Sequence, residues 1–272
     1  MKKNKERTTH FFSFKRKNLC IPYGVFLILF IVIPIFIIIY YAFSNEQGIP
    51  SAEAMISFFT TWSKVSVLFT SLFIALQTTI ICLLIGFPLC YFLADKKVNK
   101  NVVLVTLFIA PTWINFVLRT LATRELLTWM GINGGNTPYL ATLIGMVQNY
   151  LPFVILPLYT TMIKLDRSQM EAARDLGASP AQVFFKNTIP QSIPGIVSAC
   201  MMTFMPTMSS YVITDVFSEG KITIFGNFIY LDFNNNLWND GAFMAVIMLI
   251  IIVISLFFTR DKKKGKVGSA QW

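Results

Sequence analysis

The fold is decided by the stretch Glu171-Ala172-Ala173-Arg174-Asp175-Leu176-Gly177-Ala178-Ser179-Pro180, a polar island between two long apolar runs. Pro190 follows this island, and Pro194-Gly195 lies at the start of the next apolar run. A polar segment of this extent, residues 164–192, predicts a helix-turn-helix at a membrane surface. We expect such a structure to dock a partner there, and the identity of the partner decides the function.

The composition indicates an integral membrane protein. Of the 272 residues, 55% are hydrophobic and only 13% are charged, whereas soluble proteins carry about 25% charged residues. The formal net charge of +10 would favour nucleic-acid binding in a soluble protein. Here the basic residues lie between apolar runs, so they indicate membrane topology, and no nucleic-acid partner is expected.

The residue types that carry enzymatic chemistry are scarce. The four cysteines lie within apolar segments without metal-ligand spacing, so we expect buried packing and no metal site. The only histidine, His10, lies in a basic tail, which excludes a histidine-dependent active site. No glycine-rich phosphate-binding loop ending in Gly-Lys-Ser/Thr occurs in the sequence. We therefore expect no catalytic residues and no bound cofactor, and any ATP would be bound by another chain.

Six apolar segments approach or exceed the roughly 20 residues that a helix needs to cross a bilayer. They are Leu19–Phe43, Val67–Ala94, Val102–Leu121, Tyr139–Ile163, Ile193–Thr214 and Ala242–Thr259. The sequence therefore predicts an all-α integral membrane protein with six transmembrane helices. The transmembrane domain is predicted at 19–259, between basic cytoplasmic tails at 1–18 and 260–272. Arg119 lies near the outer end of the third span, where its long side chain can snorkel to the interface.

The distribution of basic residues predicts the orientation, because cytoplasmic loops carry an excess of Lys and Arg. With the N-terminus inside, all but four of the 23 basic residues are cytoplasmic. The exceptions are Lys64, Arg119, Arg124 and Lys221. Both termini are therefore predicted inside, in agreement with an even number of spans. The first span could instead be a cleaved signal peptide ending at Ala42-Phe43-Ser44, but it exceeds the about 7–15 apolar residues of a signal peptide, which favours its retention.

The polar island carries two helix-start signals. Ser168-Gln169-Met170-Glu171 fits a capping box, and Gly177 supplies a residue that tolerates positive φ at the helix end. Ser179-Pro180-Ala181-Gln182 fits a second helix start. The second short helix is predicted at Ala181–Lys186, ended by Pro190. From the residues alone, a rigid helix pair presented to a partner and an ordinary capped loop remain equally open.

The sequence from Glu171-Ala172-Ala173 through Gly177 to Ile189-Pro190 resembles the EAA loop of ABC importer permeases. That family pattern has Ile at the position of Asn187, so Asn187 departs from it. Further stretches resemble the spermidine/putrescine importer permeases, above all the first permease of that system. They are Pro111-Thr112-Trp113-Ile114-Asn115, Leu151-Pro152-Phe153, Pro157-Leu158-Tyr159, Lys164-Leu165-Asp166 and Pro194-Gly195-Ile196. The resemblance implies the type I importer architecture and a bacterial cytoplasmic membrane location.

The resemblance also implies the partners. In this family, two permeases assemble with two ATPase copies, which bind ATP and Mg²⁺, and an extracytoplasmic binding protein delivers the substrate. Membrane lipid surrounds the spans. Carried onto this sequence, the residues that contact the ATPase are Glu171, Ala172, Ala173 and Gly177. Pairing with a different permease is favoured over pairing of two identical copies.

A polyamine is a flexible cation, so its path is expected to offer carboxylates and aromatic faces. The candidates are Asp215, Trp113, Asn115, Tyr150, Tyr211 and Glu219, with Asp232 and Asp240 in the last outer loop. Asp215 is the strongest candidate, because an ionisable residue near the membrane interior is costly and usually functional. An interfacial role, in which Asp215 faces water or bonds to the external binding protein, is equally open. Interfacial belts of Trp and Tyr are common. Asn115 and Asn149 either line the path or hydrogen-bond between helices.

Two alternatives remain. An ABC permease could carry another small solute, such as an opine, a metal complex or an inorganic anion. An anion path needs inward-facing cations, and only Arg119 and Arg124 are available. A secondary transporter driven by an ion gradient often shows an inverted repeat and intramembrane acids, neither of which is visible here. Spermidine and putrescine fit the sequence equally well.

Overall fold

The computed structural model describes residues 20–95 and 103–264. Several predicted features lie outside the described residues: the tail at 1–18 with His10, the span starts Leu19 and Val102, the first cytoplasmic loop with Lys96, Lys97 and Lys100, and residues 265–272. The predicted orientation depends largely on these basic residues and stays a prediction.

The described chain is all-α, as predicted, and its only β pairing is an isolated bridge between Ser44 and Pro50. Its α-helices are α1 (Cys20–Leu27), α2 (Ile33–Ala42), α3 (Glu53–Thr60), α4 (Trp62–Leu93), α5 (Val103–Ile109), α6 (Phe116–Trp129), α7 (Pro138–Met162), α8 (Arg167–Asp175), α9 (Pro180–Val183), α10 (Ile189–Ser209), α11 (Tyr211–Ser218), α12 (Phe225–Asn234) and α13 (Trp238–Lys264). Short π turns join α1 to α2 and α9 to α10, and a 3₁₀ turn follows α5.

Four helical segments of the described chain are long and apolar enough to cross a membrane: Ile21–Ala42, Trp62–Leu93, Pro138–Met162 and Trp238–Phe257. They correspond to the predicted first, second, fourth and sixth spans. The other two predicted spans are bent pairs of helices, so the count reaches six if each pair crosses once.

The third predicted span, Val102–Leu121, is wrong as a single helix, since α5 and α6 meet at an angle of 97°. The connecting segment, residues 110–115, is called the elbow below. Pro111 lies in its 3₁₀ turn, and Asn115 leaves the helical conformation and accepts hydrogen bonds at Oδ1 from the N–H groups of Val117 and Leu118. A proline followed by a capping asparagine ends one helix and starts another. Asn115 is thus a helix cap.

The fifth predicted span, Ile193–Thr214, also differs. One continuous helical segment runs from Pro180 to Ser209, and a bend of 63° at Ser210 separates it from α11. The prediction that Pro190 ends the second short helix is wrong. Pro190 lies in the first turn of α10, directly after the π turn Phe184–Thr188, and proline is well tolerated in a first turn.

Helices α4, α7 and α10 pack together at the centre of the molecule. Gly145 of α7 lies so close to α11 that an added Cβ would be 2.3 Å from the ring of Phe217. Gly195 of α10 faces Thr161 of α7 in the same way, at 2.6 Å. Small residues permit this close approach of helices in membranes. The packing of α7 against α10 and against α11 therefore depends on glycine at these two contacts.

A second, smaller apolar cluster joins α2, α3, α12 and α13. Its centre is aromatic, with Phe58 packed edge-on against Phe225 and close to Phe243. The first span joins the rest of the chain mainly through α13. Only 6% of its apolar stretch is buried within the chain, so this span presents its side chains to whatever surrounds the protein.

Candidate coupling and translocation sites

Helices α8 and α9 form the predicted helix pair, but α8 begins earlier than the sequence suggested. The N-cap is Asp166, whose Oδ1 accepts hydrogen bonds from the N–H of Ser168 at 3.0 Å and from its hydroxyl at 2.7 Å. The predicted capping box of Ser168 and Glu171 is therefore wrong. A carboxylate is a stronger acceptor at a positive helix end than a hydroxyl. The hydrogen bonds from Ser168 hold the pKa of Asp166 below its usual value.

The turn between the two helices is fixed at both ends. Gly177 has φ +82°, and its N–H donates to Arg174 O while the N–H of Ala178 donates to Ala173 O. These two bonds form a Schellman motif. On the other side, Ser179 and Gln182 form the predicted capping box, with Ser179 N–H to Gln182 Oε1 at 2.9 Å. The predicted positive φ of Gly177 and the predicted capping box at Ser179 are both confirmed. We call this the locked turn below, because hydrogen bonds fix its backbone on both sides.

Asn187, the departure from the EAA pattern, links the helix pair to the start of the fifth span. Its Nδ2 donates to Gln169 O at 3.2 Å. Gln191 Nε2 donates to Gln169 Oε1 at 3.0 Å and also to Asn187 Oδ1. Three amide side chains thus connect α8 to α10, where the family pattern has an apolar residue.

The helix pair presents a groove of about 400 Å³. Ala173, Gly177 and Lys186 contribute to its lining, and Leu176 at its edge is 89% exposed. Glu171 and Ala172 are also exposed. A single exposed apolar side chain is common on protein surfaces, but Leu176 lies on a turn of fixed geometry beside this groove. All four residues predicted to contact the ATPase therefore lie on this helix pair.

The predicted substrate-path residues occupy three places. Trp113 is exposed on the elbow, where Asn115 caps α6. Tyr150 is buried in α7, and its hydroxyl donates to Pro206 O at 3.2 Å. The remaining three lie on α11 or at its end: Tyr211, Asp215 and Glu219.

The residues of α11 differ in their surroundings. The ring of Tyr211 stacks on Tyr230, with centroids 4.7 Å apart. Asp215 is exposed one turn later, on the same helix face. Glu219 ends the helix with φ +53° and forms an ion pair with Arg124 at 3.3 Å. Of the two predicted acids, Glu219 is thus paired with Arg124, and Asp215 is exposed on the surface of the chain.

The predicted snorkelling of Arg119 is wrong, because its side chain is buried. Its Nε and Nη2 donate to Asn149 Oδ1 at 3.1 and 2.8 Å, and its Nη1 donates to Pro111 O at 3.0 Å. Asn149 Nδ2 donates to Gly145 O at 2.9 Å. The hydrogen bonding between helices that the sequence left open for Asn149 is therefore present. In the sequence, the only indication of this contact was the presence of a polar residue, Arg119 or Asn149, within each of two separate apolar runs.

A buried ionic cluster lies at the end of the bundle opposite the helix pair. Lys64 Nζ donates to Asp240 Oδ2 at 2.8 Å and to Ser57 Oγ at 3.1 Å. Asp232 is 7% exposed, and its Oδ2 has no hydrogen-bond partner. Burial raises the pKa of Asp232, with Asp240 adding to the effect and Lys64 opposing it. Lys64 and Asp232 are thus enclosed, although the sequence placed them in open outer segments.

Comparison with known proteins agrees with this architecture. Residues 19–261 match the family described as "Binding-protein-dependent transport system inner membrane component". The spermidine/putrescine transport system permease protein PotB of Escherichia coli (strain K12) is 35% identical over 207 residues, covering 70% of this chain and 74% of that protein. The PotB homolog of Mycoplasma genitalium is 27% identical over 260 residues, covering 90% of this chain and 91% of that protein.

A solved structure shows the same fold at low sequence identity. The structure of a bacterial alginate ABC transporter, in complex with its alginate pentasaccharide-bound periplasmic protein, contains a chain that matches with a TM-score of 0.66 and 14% identity. The match covers 89% of this chain and 91% of that one. Sequence and fold agree that this multi-pass membrane chain belongs to the family of binding-protein-dependent transport system inner membrane components, as a transport permease subunit.

Proposed function

We propose that this chain is the permease subunit of an ATP-driven importer of polyamines, and that its helix pair docks on a separate ATPase. The observation that carries the docking is the locked turn, in which a Schellman motif and a capping box fix Leu176 in solvent. A rigid surface is suited to transmitting force without deforming. The polyamine cargo is supported by the PotB proteins, which are named for spermidine and putrescine.

The ATPase dimer supplies ATP and Mg²⁺ binding in this proposal, since this chain has no phosphate-binding loop. Glu171, Ala172, Ala173 and Gly177 contact it. Closure of the ATPase dimer moves the helix pair, and the spans alternate between inward-facing and outward-facing states. The energy enters as differential binding of the ATPase to the two states.

Two further partners complete the assembly. The family description and the alginate transporter structure support an external binding protein that delivers the substrate. A second permease is supported by the first span, which exposes Phe30 and Phe36 and is hardly buried within its own chain. We propose that the second permease, together with lipid, covers this span.

For the substrate path, we propose that Asp215 contacts the cation, with Tyr211 one turn away and Trp113 and Asn115 at the elbow. Tyr150 and Glu219 have other partners in this conformation and would join the path only after rearrangement. The arginines also support a cationic cargo over an anionic one. Arg119 binds Asn149 and Pro111, and Arg124 pairs with Glu219, so neither is left to bind an anion.

The experiment is uptake of radiolabelled spermidine and putrescine by cells with and without this chain, competed by unlabelled amines, with affinity purification of the chain from the same cells. We expect chain-dependent uptake, competition by polyamines and co-purification of an ATPase. Competition by an opine or an anion instead would change the cargo and keep the permease. Uptake driven by an ion gradient, without an ATPase, would overturn the proposal.

A further inference from the structure

Two spans of this protein are broken, and adjacent residues of α7 hold both breaks. Asn149 accepts the hydrogen bonds of Arg119, which also binds the elbow of the third span. Tyr150 donates to Pro206 O, one turn before the bend at Ser210 in the fifth span. Two adjacent residues of the central helix thus connect to both irregular segments, Asn149 through Arg119 and Tyr150 directly.

The contact to the elbow is specific in its geometry. One guanidinium reaches two elements, with Nη1 on Pro111 O and with Nε and Nη2 on Asn149 Oδ1. The amide of Asn149 is oriented by its own bond to Gly145 O, which turns Oδ1 toward the arginine. Asn149 is 1% exposed and Arg119 is 9% exposed. Because an unpaired buried polar group is costly, the elbow stays attached to α7.

The contact to the fifth span uses a carbonyl at the helix break. At the end of α10, the N–H of Ser210 donates to Thr207 O, so it does not continue the regular pattern to Pro206 O. Pro206 O accepts from the Tyr150 hydroxyl instead, at 3.2 Å, and also from the hydroxyl of Ser209 in its own helix, at 3.1 Å. Tyr150 is 8% exposed. Tyr150 therefore links the bend to α7, and the preceding residue, Asn149, links the elbow to α7 through Arg119.

The same fifth-span helix continues without interruption to the helix pair. The helical segment from Pro180 to Ser209 includes α9, the π turn and α10. A displacement of α9 therefore reaches the Tyr150 contact through one helix. Coupling between distant sites is carried by secondary-structure elements and by the hydrogen-bond networks that connect them.

We infer that Asn149 and Tyr150 form a junction that carries movement of the helix 180–209 to the elbow, and that Arg119 is a positioning residue of the transport cycle. This inference rests on the proposed function, because the ATPase supplies the displacement. The junction fixes the elbow, with its exposed Trp113, to the state of the fifth span.

The first experiment measures substrate imported per ATP hydrolysed, in proteoliposomes that contain the complete transporter. Arg119→Lys keeps the charge, but a single ammonium cannot reproduce the planar fork. Tyr150→Phe keeps the ring and loses the donor. We expect each variant to import about tenfold less radiolabelled spermidine per ATP, within the range of measured coupling between sites, with little change in KM. The double variant should be little worse than either single variant, since both interrupt one connection.

Matched controls lie on the same helices. Arg124→Lys on α6 keeps an exposed ion pair with Glu219, and Tyr139→Phe on α7 removes an exposed hydroxyl that donates to Gln77 of α4, away from both breaks. Both should import normally. Asn149→Asp keeps acceptor oxygens for Arg119, whereas Asn149→Leu removes them. We therefore expect Asn149→Asp to retain most of the import per ATP and Asn149→Leu to lose it. Equal losses in these two variants, or effects of Arg119→Lys and Tyr150→Phe that simply add, would overturn the junction.

The second experiment does not depend on the cargo. Spin labels at Ile114→Cys on the elbow and Phe73→Cys on α4, both exposed positions, report their distance with and without ATP. We expect a distance change that Arg119→Lys abolishes. A change that survives in Arg119→Lys overturns the junction and leaves the proposed function intact. If the distance between the labels in the transporter with Arg119 intact is the same with and without ATP, this result contradicts both the proposed ATP coupling and the junction. A raised KM for Tyr150→Phe with unchanged maximal rate would assign Tyr150 to substrate contact.

Discussion

At the residue scale, Gly177 shows how one backbone conformation supports a surface. Its φ of +82° lies in the left-handed region, which glycine adopts freely and asparagine or aspartate tolerate. A Cβ at this position would meet no atom within 4 Å. Substitution therefore acts through the backbone and through the chemistry of the exposed surface, not through a clash inside the protein.

We predict that Gly177→Asp lowers polyamine uptake and ATPase coupling by about tenfold and leaves membrane insertion intact. The reason is a new negative charge on the docking surface. Gly177→Asn has the same shape without the charge and should retain most uptake. Uptake assays and quantification of the chain in membranes check this. Normal uptake by the aspartate variant would refute the docking role of this turn.

Asp232 is a second residue whose surroundings have a measurable consequence. Its pKa is raised by burial, so the folded state holds the proton more tightly than the unfolded state. Stability therefore declines as pH rises through the ordinary pKa of an aspartate, about 4, toward the raised value. The groups that face it are Lys64, which opposes this effect, and Asp240, which adds to it.

We predict that Asp232→Asn raises the thermal unfolding temperature in detergent at neutral pH, and that this difference disappears below about pH 4. Removing the carboxylate removes the cost of burying its charge. Asp215→Asn, at an exposed position, serves as the matched control and should change little. A lower unfolding temperature for Asp232→Asn at neutral pH would mean that its attraction to Lys64 dominates over burial.

At the element scale, a prediction from sequence was correct where the residues that determine the structure are close together in the chain. The capping box at Ser179 was predicted correctly because all of its atoms come from four consecutive residues. The box at Ser168 was wrong because Asp166, two residues earlier, accepts hydrogen bonds from both the N–H and the hydroxyl of Ser168. Hydropathy located all six apolar segments but not the two bends, since the apolar content of a segment does not record its direction.

The candidate site divides in the same way. The four residues of the predicted ATPase contact were found together because they are consecutive or one turn apart. Arg119 and Asn149 are 30 positions apart in sequence, and no local pattern joins them. The pairing depends on how α6 packs against α7, which neither segment specifies by itself.

The link from α8 to α10 gives an element-scale prediction. Asn187→Ala removes its hydrogen bond to Gln169 O and its contact with Gln191, at a cost of about 1 kcal/mol. Trypsin should then cleave after the exposed Arg174 about fivefold faster in detergent, because α8 opens more often. Asn235→Ala at the opposite end of the molecule is the control. An unchanged rate would show that Asn187 does not hold α8.

At the scale of the whole molecule, the chain has a well-packed centre and a weakly attached first span. Helices α4, α7 and α10 form the centre, while Ile21–Ala42 contributes almost nothing to the interior. A hydrophobic helix in a bilayer gains little from burial against its own chain, because lipid is equally apolar. The first span is thus available to another subunit.

We predict that a photo-reactive amino acid at Phe36 yields a crosslink to the proposed second permease in intact membranes. Phe36 is 66% exposed, so the substitution should not disturb the fold. Cells that lack the second permease are the control and should give only lipid adducts. Lipid adducts alone in the presence of both permeases would place this face of the span against the bilayer.

The uninterrupted helix from Pro180 to Ser209 also has the geometry of a lever. At 1.5 Å per residue it is about 45 Å long, so a tilt of about 5° around one end moves the other by roughly 4 Å. Under the proposed function, a small rotation of α9 by the ATPase would be enough to displace the bend at Ser210. The same geometry makes the length critical, since one inserted residue would rotate everything beyond it by about 100°.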